Sequence, residues 1–243
     1  MMVAVSPAAG RAQCLGDFNA DGKVTIDELM KAVNRALSGC QDDGICRAVS
    51  DELAACQAAA KGQPLKTGQT NCYDADGAVI SRAGTGQDGE RQDGLSPVYV
   101  DNGDGTISDM KTGLMWEKLS DDGSVHDKDT MDTWDNAFAV HVAGLNTANF
   151  AGHNDWRMPN VTELVSLAKY GTEFPAVNAA FNTNCGPGCT VLTCSCTVAG
   201  FYWSSTTFLS IPANTWVVDF SLGGEAVGTK SFTDWVRAVR GGV

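Results

Sequence analysis

The sequence is short of cations, short of histidine and without a long apolar run, and each shortage removes a class of function. Seventeen Lys and Arg stand against 29 Asp and Glu, a formal net charge of −12. No basic run breaks that acidic field, so nucleic acid, heparin-like glycans and anionic membrane surfaces are repelled rather than attracted. No stretch of about 18 or more apolar residues occurs, which excludes a membrane-spanning helix. His126, His141 and His153 are the only histidines. His141 falls on a helical stripe and reads as a packed residue rather than a base. What remains is globular in composition, 43% hydrophobic and 19% charged over 243 residues, enough for one large domain or two smaller ones.

Cysteine, by contrast, is abundant. Cys14, Cys40, Cys46 and Cys56 lie near the N-terminus, Cys185, Cys189, Cys194 and Cys196 crowd into "CGPGCTVLTCSC", and Cys72 stands between. So many cysteines favour disulfides and an extracytoplasmic location, secreted or at the cell surface, because cytosolic thiols stay reduced. The C-x3-C-x4-C-x-C spacing departs from the paired C-x2-C of zinc knuckles. Four cysteines allow three pairings, and spacing does not choose among them. Residues 1–13 have small residues before Cys14 but no charged start. They read as a signal-peptide remnant or a disordered tail.

The most specific motif is "DFNADGKVTIDE". Asp17, Asn19 and Asp21 occupy positions 1, 3 and 5 of a calcium loop, with Gly22 at the sharp turn. Lys23 offers its carbonyl at position 7, Thr25 stands at position 9 and Glu28 supplies the bidentate carboxylate at position 12. The three residues Cys14, Leu15 and Gly16 leave no room for an entering helix, so the loop resembles a dockerin half-repeat rather than a whole EF-hand. No second DxNxDG copy follows, which weakens a cohesin-docking role and leaves calcium as a structural ion. Ile26, Leu29, Met30, Val33 and Leu37 then recur at helical spacing. Residues 14–62 form a small helical calcium-loop segment on this reading.

Residues 63–97 read as a linker and a small hairpin, "CYDADGAVI", with Asp-Gly at its turn. "RAGTGQDGERQDGLSP" reads as extended. From residue 98 come short strands around tight turns, then two helices, "DTWDNAFAVHVAGLN" and "PNVTELVSLAKYG". The second is capped by Asn160 with Glu163 three residues on, and Gly171 is its expected stop. "FYWSSTTF", "WVVDFSL" and "WVRAV" read as strands. In "WVVDFSL", Trp216, Val218, Phe220 and Leu222 alternate with Val217, Asp219 and Ser221, as a half-buried strand requires. Strands, then helices, then strands indicate an α+β fold with short antiparallel strands and long loops. Ser204 and Ser205 lack a nucleophile-elbow setting, and the six tryptophans read mainly as core.

"VDNGDGTISDMKTGLMWEK", "DWRMPNVTELVSLAKYG", "FYWSSTTF", "WVVDF" and "VRAVRGG" occur in an order that resembles the Lcl C-terminal domain family, over about residues 64–243. The resemblance implies a C-type-lectin-like domain at 98–243 and an exported binding or adhesion protein recognising a glycan or a protein. It also implies display loops ahead of the last strands, at 206–215 and 222–234. Members often carry a second cysteine about ten residues after the one matching Cys72. Arg82 stands there instead, which leaves Cys72 as the candidate free thiol. The collagen-like adhesin that names the family binds sulfated glycosaminoglycans, a task for cationic surface that a chain at −12 does not offer. Neither EPN nor QPD is present, so calcium-bridged sugar binding has no support. Competing readings are an enzyme of the formylglycine-generating group, whose catalytic cysteine pair is not seen, and a diversified receptor of a retroelement.

Overall fold

The computed structural model describes residues 64–241, and Leu65–Val243 form one compact unit. The fold is α+β: among the described residues there are four small antiparallel sheets and a few short helices. In the lead-in, β1 (Cys72–Tyr73) and β2 (Val79–Ile80) make the expected hairpin. Gly77 provides the positive φ of its turn, and the Asp74 carboxylate accepts from the Asp76 and Ala78 amides. The glycine-rich stretch that follows is not simply extended. It holds a one-turn helix, α1 (Asp88–Arg91), because the Glu90 carboxylate folds back onto the Gly84 and Gly86 amides at 2.6 and 2.7 Å. Residues 65–70, linker-like in composition, run along the unit: Lys66 N donates to Leu95 O, and Tyr170 N donates to Thr67 O.

The largest sheet has the order β11-β5-β4-β3, from β3 (Tyr99–Asp101), β4 (Thr106–Asp109), β5 (Leu114–Glu117) and β11 (Val239–Gly241). Ile107 and Trp116 face each other across β4 and β5 and enter a first core with Leu164, Phe181, Tyr202, Phe220 and Val239. Side chains alternate across a strand, so Glu117, next to Trp116, points to the other face. There lies a second core built on Ala137, Leu145, Trp156, Trp203, Val217 and Ala238.

The first expected helix forms with an internal irregularity. Strand β6 (Asp132–Thr133) leads into α2 (Trp134–Asn136), a π-helical stretch (Ala137–Val142) and α3 (Ala143–Thr147). Within the π-helical stretch Ala137, His141 and Val142 are buried. The second, α4 (Val161–Val165), has the full capping box: Glu163 N donates to the Asn160 side chain, and Asn160 N donates to the Glu163 carboxylate. It ends at Val165, well before Gly171. Beyond it, Lys169 N donates to Ala176 O and Tyr170 N to Thr67 O, so tertiary partners capture the amides that a longer helix would use.

The second sheet, β7-β8-β9, comprises β7 (Phe201–Thr207), β8 (Asn214–Asp219) and β9 (Gly224–Thr229). The pairing of β7 with β8 is interrupted by a bulge between Trp203 and Thr207. There Ser204 Oγ donates to Trp216 O at 2.6 Å, and Thr215 Oγ1 lies 2.7 Å from Thr206 O and 3.1 Å from Ser204 O. The alternation expected of β8 is broken because the strand has a core on each side. Val218 and Phe220 enter the first and Val217 the second, while Leu222 is exposed beyond the strand end. "WVRAV" is not a regular strand either. β10 (Thr233–Asp234) ends just before it and β11 takes in only its last residue, Val239, while Arg237 within it is buried.

Candidate functional site

The polar centre of the unit is Glu117, which is fully buried. One carboxylate oxygen accepts from His126 Nδ1 at 2.7 Å. The other accepts from His141 Nε2 and from the Ala238 amide, both at 2.9 Å. Arg237, also buried, donates to the Glu117 carbonyl at 2.8 Å, to Cys196 O at 2.6 Å and to Thr197 Oγ1 at 2.9 Å. His126 rests on Phe150, ring centroids 4.3 Å apart. Burial pushes the Glu117 carboxyl up, but the His141 charge and the hydrogen bonds from both imidazoles outweigh it and hold the carboxyl well below the usual range. Burial likewise disfavours the charged form of His141, and Glu117, with a smaller contribution from Asp132, raises its pKa nonetheless. The cluster joins β5, the loop carrying His126, the π-helical stretch and the segment before β11. The Glu117 carboxylate is bonded to both imidazoles, and Arg237 to two carbonyls and a hydroxyl, so the cluster ties segments of the two cores together.

Sequence reasoning placed His141 correctly as a packed residue but missed its partner. Glu117 sits in "LMWEK", where a strand pattern marks it only as the residue after a core tryptophan. A glutamate and an arginine inside otherwise apolar strand-like runs, Glu117 and Arg237, were the available signal, since a buried charge requires partners.

Of the predicted site residues, the calcium-loop set Asp17, Asn19, Asp21, Lys23, Thr25 and Glu28 lies outside the described residues, as do Cys14, Cys40, Cys46 and Cys56. The second cysteine cluster resolves into Cys185–Cys196 and Cys189–Cys194 disulfides. Between them they tie the 185–196 loop to itself, while Cys196 N donates to Leu119 O and fastens the loop to the first core. Cys72 is the free cysteine among the described residues, and it is buried, with Thr85 Oγ1 3.3 Å from its sulfur. Asp121, Asp127 and Asp129 bring carboxylate oxygens within 4.8 Å of one another. Lys128 Nζ, 2.8 Å from Asp129 and 3.6 Å from Asp121, offsets part of that charge. All six tryptophans are buried or half-buried.

The unusual surface is at one end of the second sheet. Of the expected display loops, 206–215 is strand only at its two ends, where β7 and β8 run in, whereas 222–234 is mostly strand, with β9 at 224–229 and β10 at 233–234. The turn proper is 208–213, and the residues after β9 share its end of the sheet, since Lys230 N donates to Ala213 O. There Leu209 is 89% exposed, Ile211 52% and Phe232 67%. The backbone beneath is well held. Lys230 Nζ lies 3.9 Å over the Trp134 ring and donates to Thr207 Oγ1 at 2.9 Å, while Trp134 Nε1 donates to Ser204 O at 2.9 Å.

No helix among the described residues is long and apolar enough to cross a membrane. No curated protein matches the chain beyond chance. A family model, the Lcl C-terminal domain, matches residues 105–240, from the turn before β4 to β11. That span takes in both cores, the buried Glu117 cluster and the exposed sheet end, and leaves the lead-in hairpin outside. With more than half of its length matched, the chain belongs to the Lcl C-terminal domain family.

Proposed function

We propose that this chain is an exported, non-catalytic binding protein whose C-type-lectin-like domain docks a partner protein through the 208–213 turn and Phe232. The observation that carries this reading is the combination of exposed aliphatic and aromatic side chains on a clamped backbone. Leu209, Ile211 and Phe232 lie in water while Lys230 and Trp134 hold the strands below them. An aliphatic surface suits a protein partner better than a sugar, because sugar recognition needs aromatic platforms and directed polar groups. The −12 charge disfavours polyanions at the same surface. The disulfides fit an extracytoplasmic setting. In this reading calcium bound by the Asp17–Glu28 loop is a structural accessory of the N-terminal segment and takes no part in docking.

The test is a protein and glycan array probed with the full chain, with and without EDTA. Protein ligands are expected to be captured in both conditions. A Leu209→Asp/Ile211→Asp/Phe232→Asp chain should lose that capture by at least tenfold. Undiminished capture by the triple variant, or capture abolished by EDTA while the 65–241 unit stays folded, would overturn the reading.

A further inference from the structure

At the opposite end of the β7-β8-β9 sheet, beyond the turn between β8 and β9, lies a hollow of about 290 Å³ between residues 69–73 and 170–173. Tyr73, 38% exposed, and Tyr170, 46% exposed, both line it. Both have backbones held in place. The Gln87 side chain accepts from Tyr73 N at 3.0 Å and donates to Tyr73 O at 2.8 Å, while Tyr170 N donates to Thr67 O at 2.8 Å. The two walls meet so closely at Gly171 that a Cβ there would lie 2.1 Å from Gly68 O, so glycine is what permits the approach. Gln69, Asn71 and Glu173 line it as well, and Asn71 Nδ2 donates to the Tyr73 hydroxyl at 3.4 Å. Among the described residues, the Gln69 amide and the Glu173 carboxylate have no hydrogen-bond partner.

We propose that this hollow is a binding site for a neutral sugar ring at the end of a short oligosaccharide. The chemistry supports each part of that assignment. Tyrosine faces present apolar surface to the C–H patches of a pyranose. Amide and carboxylate groups supply the paired donors and acceptors that vicinal hydroxyls require. Glu173 is the one charged residue among the described residues that line the hollow, so an acidic sugar is repelled locally as well as by the chain as a whole. Fixed backbones at both tyrosines reduce the ordering cost of binding. The site uses the lead-in outside the family match on one wall and family residues on the other, so it belongs to this chain's combination of the two. It is separate from the apolar sheet end and does not depend on the docking role proposed there.

Calorimetric titration of the full chain with maltotriose, cellotriose and chitotriose, against trigalacturonate as the acidic control, tests this. At least one neutral trisaccharide is expected to bind saturably in the millimolar range or tighter. Tyr170→Ala and Tyr73→Ala should each weaken it at least tenfold and Glu173→Gln about threefold, while Leu209→Asp leaves it unchanged. Because truncating a tyrosine can disturb folding, exposed Glu173→Arg serves as a second variant, expected to abolish binding with the melting temperature intact. Failure of all three neutral sugars to bind, equal binding of trigalacturonate, or affinity indifferent to Tyr170 and Glu173 would each overturn the assignment. Loss of protein capture by the triple sheet-end variant leaves this result untouched, so the two proposals fail separately.

Discussion

The interior around Glu117 and the sheet end around Leu209 invert the usual distribution of polarity. A carboxylate, two imidazoles and a guanidinium lie inside, while leucine, isoleucine and phenylalanine stand in water. The difference lies in what each group is bonded to. Every carboxylate oxygen of Glu117 has a donor within 2.9 Å, so burial there is compensated and removing one partner exposes the full cost. Leu209 has no comparable partner, and its exposure costs the folded unit little. Charges inside therefore report on folding, and the apolar groups outside test the docking role proposed for them.

The comparison breaks most visibly at Glu117. Glu117→Ala is expected to destabilise the chain by about 3–5 kcal/mol, because it strands the imidazoles and the Ala238 amide together. Urea denaturation measures this, and a loss under about 1 kcal/mol would mean that the cluster is not a cross-link. A smaller effect is expected from pH. His141 has a folded pKa above its ordinary value, so the stability it lends is complete below about pH 6.5 and is lost as pH rises through the folded value. Glu117, held low, lends stability above about pH 4.3 that disappears only in stronger acid. Melting temperature should therefore decline on the alkaline side in the parent chain, and His141→Gln should flatten that decline. Identical profiles for the two chains would count against the pairing. The smallest effect is at the sheet end, where Leu209→Ser should change stability by no more than about 0.5 kcal/mol. A large loss there would make Leu209 part of the fold rather than a docking group.

Much of the architecture was legible in the sequence because it rests on local rules. The Asn160–Glu163 capping box, the Asp-Gly hairpin and the strands on either side of "NGDG" each follow from a few adjacent residues. Failures came where distant partners decide. The second helix stops at Val165 because residues 67 and 176 take its later amides. "WVRAV" is broken by a guanidinium that reaches Cys196. The candidate surfaces were less readable still. The loop 206–215 implied by resemblance contains the exposed turn 208–213, but the buried carboxylate and the tyrosine hollow join segments far apart in the chain. No periodicity marks such pairs.

The bulge in β7 bears on how the exposed turn is tolerated. In a strand with one buried face, a one-residue slip is punished because polar groups rotate inward. In β8, Val217 and Val218 both serve a core, so a slip would trade one valine for another and hydrophobicity alone discriminates poorly. The hydroxyls of Ser204 and Thr215 break that degeneracy, since each reaches a particular carbonyl across the strand pair. They act as a key that fixes the reading frame of the sheet. Because the key lies below residues 208–213, that turn is free to vary in sequence or length without carrying the frame along with it.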